Sequence, residues 1–370
     1  GSLRSGTQAL KLALDGVRAG SFRNALVIAT DHRQGPPGSD IERDGGDAAV
    51  ALLVGAAAPA VEVTATYSVV NDILDVWRGS GERLLRSTPE EHFRYEEGYL
   101  HAIKAGLEGL GAVAKRGGGD FQRVALYSPD SRRRAEAVRR LGLDAARVIE
   151  SPAGAGSSGV AHALLQLVSA LDVAGADEEI LVLNYGDGCD ALALRTTAAL
   201  ATSRHGRTPL ASQLARAVPI ADYYDFLRWR GLGPVSLDGA RTAPAPHAVY
   251  REQDEVIRLH GMRCNACEMV QYPAQRVCVR CKAKDNNTTV AMADGGATLF
   301  SYSLDYVAAT PDVPLLHGVV DFDIGGRAMM MVTDRDLESV AIGMKLDLTF
   351  RKFLEADGVS AYLWKAAPAR

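Results

Sequence analysis

The sequence predicts a layered α/β domain followed by a small, metal-stabilised β domain. Apolar strands alternate with amphipathic helices through roughly the first 230 residues, which is typical of layered α/β folds. Four cysteines then fall within one short stretch, and five short strand-like segments follow them. The chain has 370 residues, which suggests two or three domains at ~100–200 residues each.

The first elements are a helix and three strands. Leucines at helical spacing predict a helix over 7–17, which Gly20 ends. Continuous apolar runs predict three buried strands, at 25–29, 48–54 and 61–69.

The alternation continues towards residue 200. A helix over 90–114 is followed by a strand at 124–127 and a helix over 132–141. The small-residue loop 154–159 opens a helix that extends to about 173. Two strands around a glycine turn complete the domain, at 180–183 and 191–194.

The second half divides at a linker rich in Gly, Pro, Ser and Ala. The predicted boundaries are an α/β domain, a linker, a metal ribbon and a barrel, at 1–230, 231–250, 251–288 and 289–370. Five short strands after a metal ribbon indicate a β-barrel of the OB type. They lie at 297–302, 318–322, 328–332, 345–350 and 360–364.

Four cysteines form the strongest motif. Cys264 and Cys267 make one C-x-x-C turn, and Cys278 and Cys281 make a second one after ten residues. Two such turns place four thiolates around one ion, which predicts a structural zinc site with no position open for chemistry. A rubredoxin-like iron site and four free thiols are the alternatives.

The composition argues against several classes of protein. The net charge is −4 and the pI is about 6.1, whereas nucleic-acid proteins carry a basic excess. The barrel strands lack the interleaved aromatic and basic residues of single-strand binders, so nucleic-acid binding stays a minor alternative. No apolar run reaches ~20 residues, and the cysteines are clustered rather than spread, so we expect a cytoplasmic protein without a membrane partner.

The α/β domain resembles a known family through several motifs. Ser5-Gly6-Thr7-Gln8-Ala9-Leu10 is similar to the nucleophile helix of the thiolase superfamily, especially its 3-hydroxy-3-methylglutaryl-CoA synthase branch. Further similar segments over roughly residues 1–230 lie at 25–30, 46–55, 127–129 and 184–188. The chain enters its first helix almost at once, so the resemblance implies that the first half of this domain lies outside the chain. That half is then either missing or supplied by another chain.

The resemblance also implies where the family's catalytic groups would fall. Its Cys nucleophile uses a helix N-terminus to lower the thiol pKa, a His handles protons, and an Asn helps to hold the oxyanion. These positions align with Leu3, Tyr127 and Gly154. Leucine cannot attack a thioester, so the standard acyl-enzyme mechanism is expected to be absent.

The C-terminal region resembles the DUF35 family of acyl-CoA-associated zinc-ribbon and OB-fold proteins. The similar residues are the four cysteines, Pro273 and the segments 295–302 and 342–344. Such domains accompany thiolase-like partners in acyltransferases and retro-aldolases. The resemblance therefore implies a coenzyme A thioester as ligand, and a homodimer or a thiolase-family partner.

Three residues are candidates for catalysis. Tyr127 is either a general acid or base or a core residue at a strand end. His32 follows a strand, where functional residues of α/β folds gather. Asp187 lies between two glycines and either orients the turn or faces the pocket.

The loop before the long helix is a candidate ligand site. Backbone N–H groups at a helix start can bind an anion such as a CoA phosphate, although close packing explains the same glycines. The candidate cofactor-binding residues are Gly154, Gly156 and Ser157.

Two functions follow from these observations. The first is an acyl-CoA enzyme that makes or breaks a carbon–carbon bond, by aldol, retro-aldol or acyl-transfer chemistry, without a cysteine nucleophile. The second is a non-catalytic scaffold that channels acyl-CoA to an intact thiolase. The three replaced catalytic positions favour the second function over ordinary Claisen chemistry.

Overall fold

The computed structural model describes residues 2–150, 154–233, 244–308, 310, 312–356 and 359–369. The chain forms two compact units, Gly1–Ala217 and Val218–Arg370. The sequence places the boundary at 230, and the predicted domain limits stay predictions. Half of the predicted linker, residues 234–243, lies outside the described residues.

The first unit contains eight helices and eight strands among its described residues. The helices are α1 (Ser5–Arg18), α2 (Asp40–Asp44), α3 (Glu91–Phe93), α4 (His101–Ala114), α5 (Ser131–Arg140), α6 (His162–Val173), α7 (Ala199–Ser203) and α8 (Leu210–Leu214). The strands are β1 (Asn24–Asp31), β2 (Ala48–Gly55), β3 (Val61–Val70), β4 (Val76–Trp77), β5 (Arg86–Ser87), β6 (Arg123–Leu126), β7 (Glu179–Tyr185) and β8 (Gly188–Thr196). A π-helical segment, Arg94–Leu100, joins α3 to α4.

A four-stranded sheet forms the centre of this unit. Its order is β3-β8-β7-β6, with β6 parallel to β7 and the other pairs antiparallel. Nearly every residue of β7 and β8 is buried, because helices cover the sheet. Helix α4 packs on β3, β8 and β7, whereas α6 contacts β6 and β7 and also β2 of a second sheet. The predicted layered α/β fold is confirmed.

The second sheet is different from the prediction. Among the described residues, strands β1 and β2 pair only with each other, in an antiparallel sheet of two strands. The sequence predicts both as buried strands, but Leu26, Ile28 and Leu53 are 60% exposed or more. Helix α1 packs on one face of the sheet, so Val27 and Val50 are buried while alternate side chains on the other face are not. A continuous apolar run could not reveal that only one face would be covered.

The second unit carries three short helices and eight strands among its described residues. The helices are α9 (Tyr223–Trp229), α10 (Pro246–Arg251) and α11 (Gln253–Val256). The first three strands, β9 (His260–Cys264), β10 (Val270–Gln271) and β11 (Asn287–Ala291), form a small sheet in the order β10-β9-β11. The others are β12 (Ala297–Asp305), β13 (Leu315–Phe322), β14 (Arg327–Val332), β15 (Lys345–Ala356) and β16 (Val359–Pro368).

These last five strands close into a barrel in the order β12-β13-β14-β16-β15. Alternate residues point inwards, and Leu299, Leu316, Val320 and Leu346 form its buried core. All five strands predicted from the sequence are present, and the OB-type barrel is confirmed. Within the described residues, no helix has the length and apolar character needed to cross a membrane.

Candidate functional site

Three tyrosines meet at the carboxyl ends of two parallel strands. Tyr127 directly follows β6 and donates its backbone N–H to the carbonyl of Leu183 in β7 at 2.9 Å. Tyr185 ends β7, and the two phenol rings lie 6.1 Å apart. The Tyr99 hydroxyl donates to the Tyr127 carbonyl at 2.7 Å, and its ring meets that of Tyr185 edge-on at 5.4 Å. Ligand sites of α/β sheets are common at this edge.

Tyr127 is enclosed by polar groups. The residue is 3% exposed, its hydroxyl lies 3.5 Å from the Ser157 hydroxyl, and its ring meets His162 edge-on at 5.2 Å. Burial raises the pKa of Tyr127, and the nearby Arg33 guanidinium offsets only part of that effect. The phenol is therefore protonated at neutral pH and can donate a hydrogen bond or a proton.

His162 holds the neighbouring loop. Burial, reinforced by Arg33, lowers the pKa of His162 to about 4, so its ring is neutral. Its Nδ1 accepts the Ser158 backbone N–H at 3.3 Å, and the ring also bonds the Gly156 carbonyl. His162 is not among the residues predicted from the sequence. A histidine in the first turn of an otherwise apolar helix was the available signal.

Left-handed backbone conformation and, at Gly156, close packing account for two glycines of the predicted anion loop. Gly154 and Gly156 have left-handed backbones, with φ of +85° and +60°. A Cβ on Gly156 would lie 2.6 Å from the Gly45 carbonyl oxygen, so no side chain fits there.

The N–H groups of this loop are largely engaged inside the protein. Those of Ser157 and Val160 donate to the Asp44 carbonyl at 2.7 Å and to the Asp31 carboxylate at 3.2 Å. Together with the bond from Ser158 to His162, these contacts remove three donors that an anion would need. The roles predicted for Gly154, Gly156 and Ser157 in binding coenzyme A stay predictions.

Leu3 lies beside the last residues of β7 and the turn that follows them. The Asn184 amide donates to the Leu3 carbonyl at 3.4 Å, and a Cβ on Gly186 would approach the Leu3 side chain to 2.8 Å. Leu3 and Tyr127, which the resemblance aligns with the family's Cys and His, therefore both border the last residues of β7.

A buried ion pair fixes this arrangement. Arg4 donates to the Gly186 carbonyl at 2.5 Å, to the Asp187 carbonyl at 3.0 Å and to the Asp190 carboxylate at 3.2 Å. Asp190 is fully buried and also accepts bonds from Thr7, Gln8 and Ser68. This network is not predictable from sequence motifs, because its members are far apart in the chain.

The other two catalytic candidates lie in different surroundings. His32 is on the surface, where its Nδ1 lies 2.8 Å from the Asp47 carboxylate. Asp187 is half-buried in the turn after β7 with a φ of +52°, and its carboxylate contributes to raising the pKa of Tyr185. Asp187 therefore lies in the turn and acts on Tyr185 through its charge.

Cys189 is unsuited to act as a nucleophile. Its side chain is fully buried against Gly106, since a Cβ on that glycine would lie 2.4 Å from the sulfur. Burial, and next the charge of Asp190, raise the pKa of the thiol. A protonated, enclosed thiol does not attack a thioester.

The four remaining cysteines form a cluster that could hold a metal ion. Their sulfurs all lie within 4.8 Å of one another, with Cys264 to Cys281 at 3.5 Å and Cys267 to Cys278 at 3.6 Å. Thiolates ~2.3 Å from a tetrahedral ion would lie ~3.8 Å apart, so the geometry fits. Strands β9 and β11 hold the first C-x-x-C turn in place.

Comparison with known proteins agrees with both units. The family model described as the C-terminal OB-fold domain of ChsH2 matches residues 289–351. A hydroxymethylglutaryl-CoA synthase of Pyrobaculum arsenaticum is 28% identical over 231 residues, which is 61% of this chain and 66% of the relative. The enzyme of Aeropyrum pernix is 29% identical over 236 residues, covering 62% of this chain and 64% of the relative. The chain thus spans slightly less than two thirds of these relatives.

Solved structures give the same fold. The chain superposes on an HMG-CoA synthase complexed with CoA with a TM-score of 0.54 and 17% identity, over 66% of this chain and 67% of that one. It superposes on MvaS in complex with 3-hydroxy-3-methylglutaryl coenzyme A with a TM-score of 0.52 and 22% identity, over 66% and 68% of the two chains. The first unit is therefore similar to HMG-CoA synthases, and residues 289–351 are similar to the C-terminal OB-fold domain of ChsH2. The fusion expected from the sequence motifs is confirmed.

Proposed function

We propose that this protein acts on a coenzyme A thioester and makes or breaks a carbon–carbon bond without a cysteine nucleophile. The observation that carries the proposal is the buried phenol of Tyr127, which stands where the resemblance places the proton-handling histidine. The similarity of the first unit to hydroxymethylglutaryl-CoA synthases supports the substrate class.

The chemistry follows from the groups at the β6 and β7 ends. In a retro-aldol step, a 3-hydroxyacyl-CoA passes its hydroxyl proton to solvent water, the bond between its second and third carbons breaks, and a ketone or aldehyde leaves. The electron pair passes to the thioester as an enolate, which then takes up a proton. This step needs no covalent acyl intermediate, so Leu3 does not prevent it. Tyr127, which is protonated at neutral pH, would donate to the developing oxyanion.

Zinc in the four-cysteine cluster would have a structural role. Cys264, Cys267, Cys278 and Cys281 fill a tetrahedral shell and leave no open position for water or substrate. Iron fits the same donors, and metal analysis of protein purified without added metal distinguishes the two.

Turnover of defined thioesters tests the enzymatic proposal. The purified protein is incubated with 3-hydroxy-3-methylglutaryl-CoA and with other 3-hydroxyacyl-CoA thioesters, and mass spectrometry follows the shortened acyl-CoA. We expect cleavage of at least one thioester and a loss of about 100-fold in Tyr127→Phe. Tyr95→Phe, a buried tyrosine whose hydroxyl faces the Arg133 carbonyl at 3.5 Å, is the matched control. Unchanged turnover in Tyr127→Phe would refute the role of this phenol.

A scaffold for an intact thiolase is the second candidate. The low exposure of Tyr127 and the internally bonded N–H groups of the 154–160 loop favour it. In that case activity requires a cysteine-bearing thiolase partner and survives Tyr127→Phe. Activity of the protein alone contradicts the scaffold.

The cellular setting is part of the proposal. Clustered rather than spread cysteines support a reducing, cytoplasmic compartment. A homodimer or a thiolase-family partner would complete the assembly, and the molar mass in solution, with and without that partner, distinguishes these states.

A further inference from the structure

The Tyr185 hydroxyl is a buried donor that has the Asp75 carboxylate nearby but makes no hydrogen bond of normal geometry among the described residues. The residue is 2% exposed. Leaving such a group unpaired is destabilising, so native proteins rarely do it without a reason. Its neighbour Tyr99, in contrast, donates to the Tyr127 carbonyl.

The surroundings keep this hydroxyl protonated. Burial is the main cause that raises the pKa of Tyr185, and the carboxylates of Asp75 and Asp187 raise it further. Asp75 is itself paired with Arg94 at 2.6 Å. Because a phenolate beside two carboxylates is strongly disfavoured, Tyr185 can donate a hydrogen bond but is a poor base.

Gly98, in the π-helical segment, lies close beside the hydroxyl. A Cβ on this glycine would lie 3.0 Å from the hydroxyl oxygen, so a larger residue there would crowd it. π-helical segments often occur at functional sites. The ring itself is fixed between Tyr99 and Tyr127.

We propose that Tyr185 is a second catalytic donor, which hydrogen-bonds the thioester carbonyl oxygen of the substrate beside Tyr127. This inference rests on the proposed function and deepens it. Two phenols at the ends of adjacent parallel strands form an oxyanion hole, which stabilises the enolate that a retro-aldol step leaves on the thioester. The substrate class is then a 3-hydroxyacyl-CoA whose carbonyl oxygen enters between the two rings.

The carbonyl carbon of a bound thioester reports on this bond directly. Acetyl-CoA labelled with ¹³C at the carbonyl is bound to the protein, and the carbon resonance is compared with that of the free thioester. Donors to the oxygen polarise the carbonyl and shift the resonance downfield. We expect a downfield shift in the wild type, a smaller shift in Tyr185→Phe and about tenfold weaker binding.

Thermal unfolding separates a catalytic from a structural role. Tyr185→Phe removes an unbonded polar group, so its melting temperature should equal or exceed that of the wild type. Tyr95→Phe is the matched control and should keep the wild-type shift and affinity. Gly98→Ala brings a methyl group to 3.0 Å from the hydroxyl and should reproduce the smaller shift with the tyrosine intact.

The outcomes are distinct. A wild-type shift in both Tyr185→Phe and Gly98→Ala overturns the inference while the proposed function stands. A lower melting temperature in Tyr185→Phe with no change of the shift also overturns it, since the residue is then only structural. If the wild type binds no acyl-CoA, the proposed function fails as well.

Discussion

The four-cysteine cluster and the tyrosine cluster are built in opposite ways. Cys264 to Cys281 span 18 residues, and two short turns bring all four ligands together. Tyr99, Tyr127 and Tyr185 come from a π-helical segment and two strand ends that are widely separated in the chain. Local spacing specifies the first site, whereas the packing of a whole sheet specifies the second.

This contrast extends to the source of stability and chemistry. An ion would hold the cysteine turns, so its binding free energy would contribute to folding. The tyrosine cluster is held by burial and by neighbouring bonds, such as those from Arg4 to Gly186 and Asp187. The cysteine cluster therefore bears on folding, whereas under the proposed function the phenols bear on catalysis.

Removal of a cysteine ligand should have the largest effect. Cys264→Ala should lose the metal and unfold the ribbon around β9, because structural zinc contributes many kcal/mol to such small sites, about 10 or more in zinc-finger peptides. Metal stoichiometry and limited proteolysis are the measurements. Cys189→Ala, which alters a cysteine outside the cluster, should keep the full metal content. Full metal in Cys264→Ala would show that the cluster is not the site.

The buried ion pair should come next. Asp190→Asn leaves the buried Arg4 guanidinium without its charge partner, so we expect a loss of about 3–5 kcal/mol in the free energy of unfolding. Urea denaturation measures it. Glu62→Gln, which breaks an exposed pair with Arg195 at 2.7 Å, is the control and should change stability by less than about 1 kcal/mol. Equal effects of the two variants would contradict the structural role of Asp190.

Acid should lower the free energy of unfolding through His162, which packs against Tyr127. The pKa of His162 is about 4 in the folded protein, whereas an unperturbed histidine has a pKa of 6.5. As the pH falls, the unfolded chain therefore binds a proton before the folded protein does. Stability should therefore fall as the pH drops from 6.5 to 4, by about 3 kcal/mol in total. Arg33 and Arg134 face the ring and act in the same direction.

Urea unfolding at pH values between about 7 and 4 checks this dependence. His162→Gln lacks the titrating ring and should show a flatter profile over that window. Identical profiles of the variant and the wild type would rule out His162 as the source of acid sensitivity.

The smallest effect is expected at the hydroxyl of Tyr99. Tyr99→Phe removes the bond to the Tyr127 carbonyl and should destabilise the protein by about 1 kcal/mol. Chemical denaturation compares it with Tyr185→Phe, which removes no bond and should not destabilise. If Tyr185→Phe destabilises the protein and Tyr99→Phe does not, the hydrogen bonds assigned to the two phenols are incorrect.

Much of the fold could be read from the sequence because its signals are local. The cysteine spacing, the five barrel strands and the hairpin of β7 and β8 each lie within a short segment. The exposure of Leu26, Ile28 and Leu53 could not be predicted. An apolar run indicates a strand but does not show whether one or both faces of its sheet are covered by other elements.

The candidate site was only partly visible in the sequence. Tyr127 was found through its place in a family motif, and Asp187 through its glycine neighbours. His162, Tyr185 and Asp190 were missed, because burial and long-range partners give them their significance. His32 was predicted from its position after a strand, but it lies on the exposed surface. A position after a strand therefore does not by itself identify a site residue.

A crystal structure with a non-cleavable coenzyme A ether or amide tests the central claim most directly. We expect the acyl oxygen within about 3 Å of the Tyr127 hydroxyl, at the carboxyl ends of β6 and β7, with Leu3 beside the acyl group. An acyl group bound away from Tyr127, or no binding at this strand edge, would contradict cysteine-independent chemistry at the tyrosine cluster.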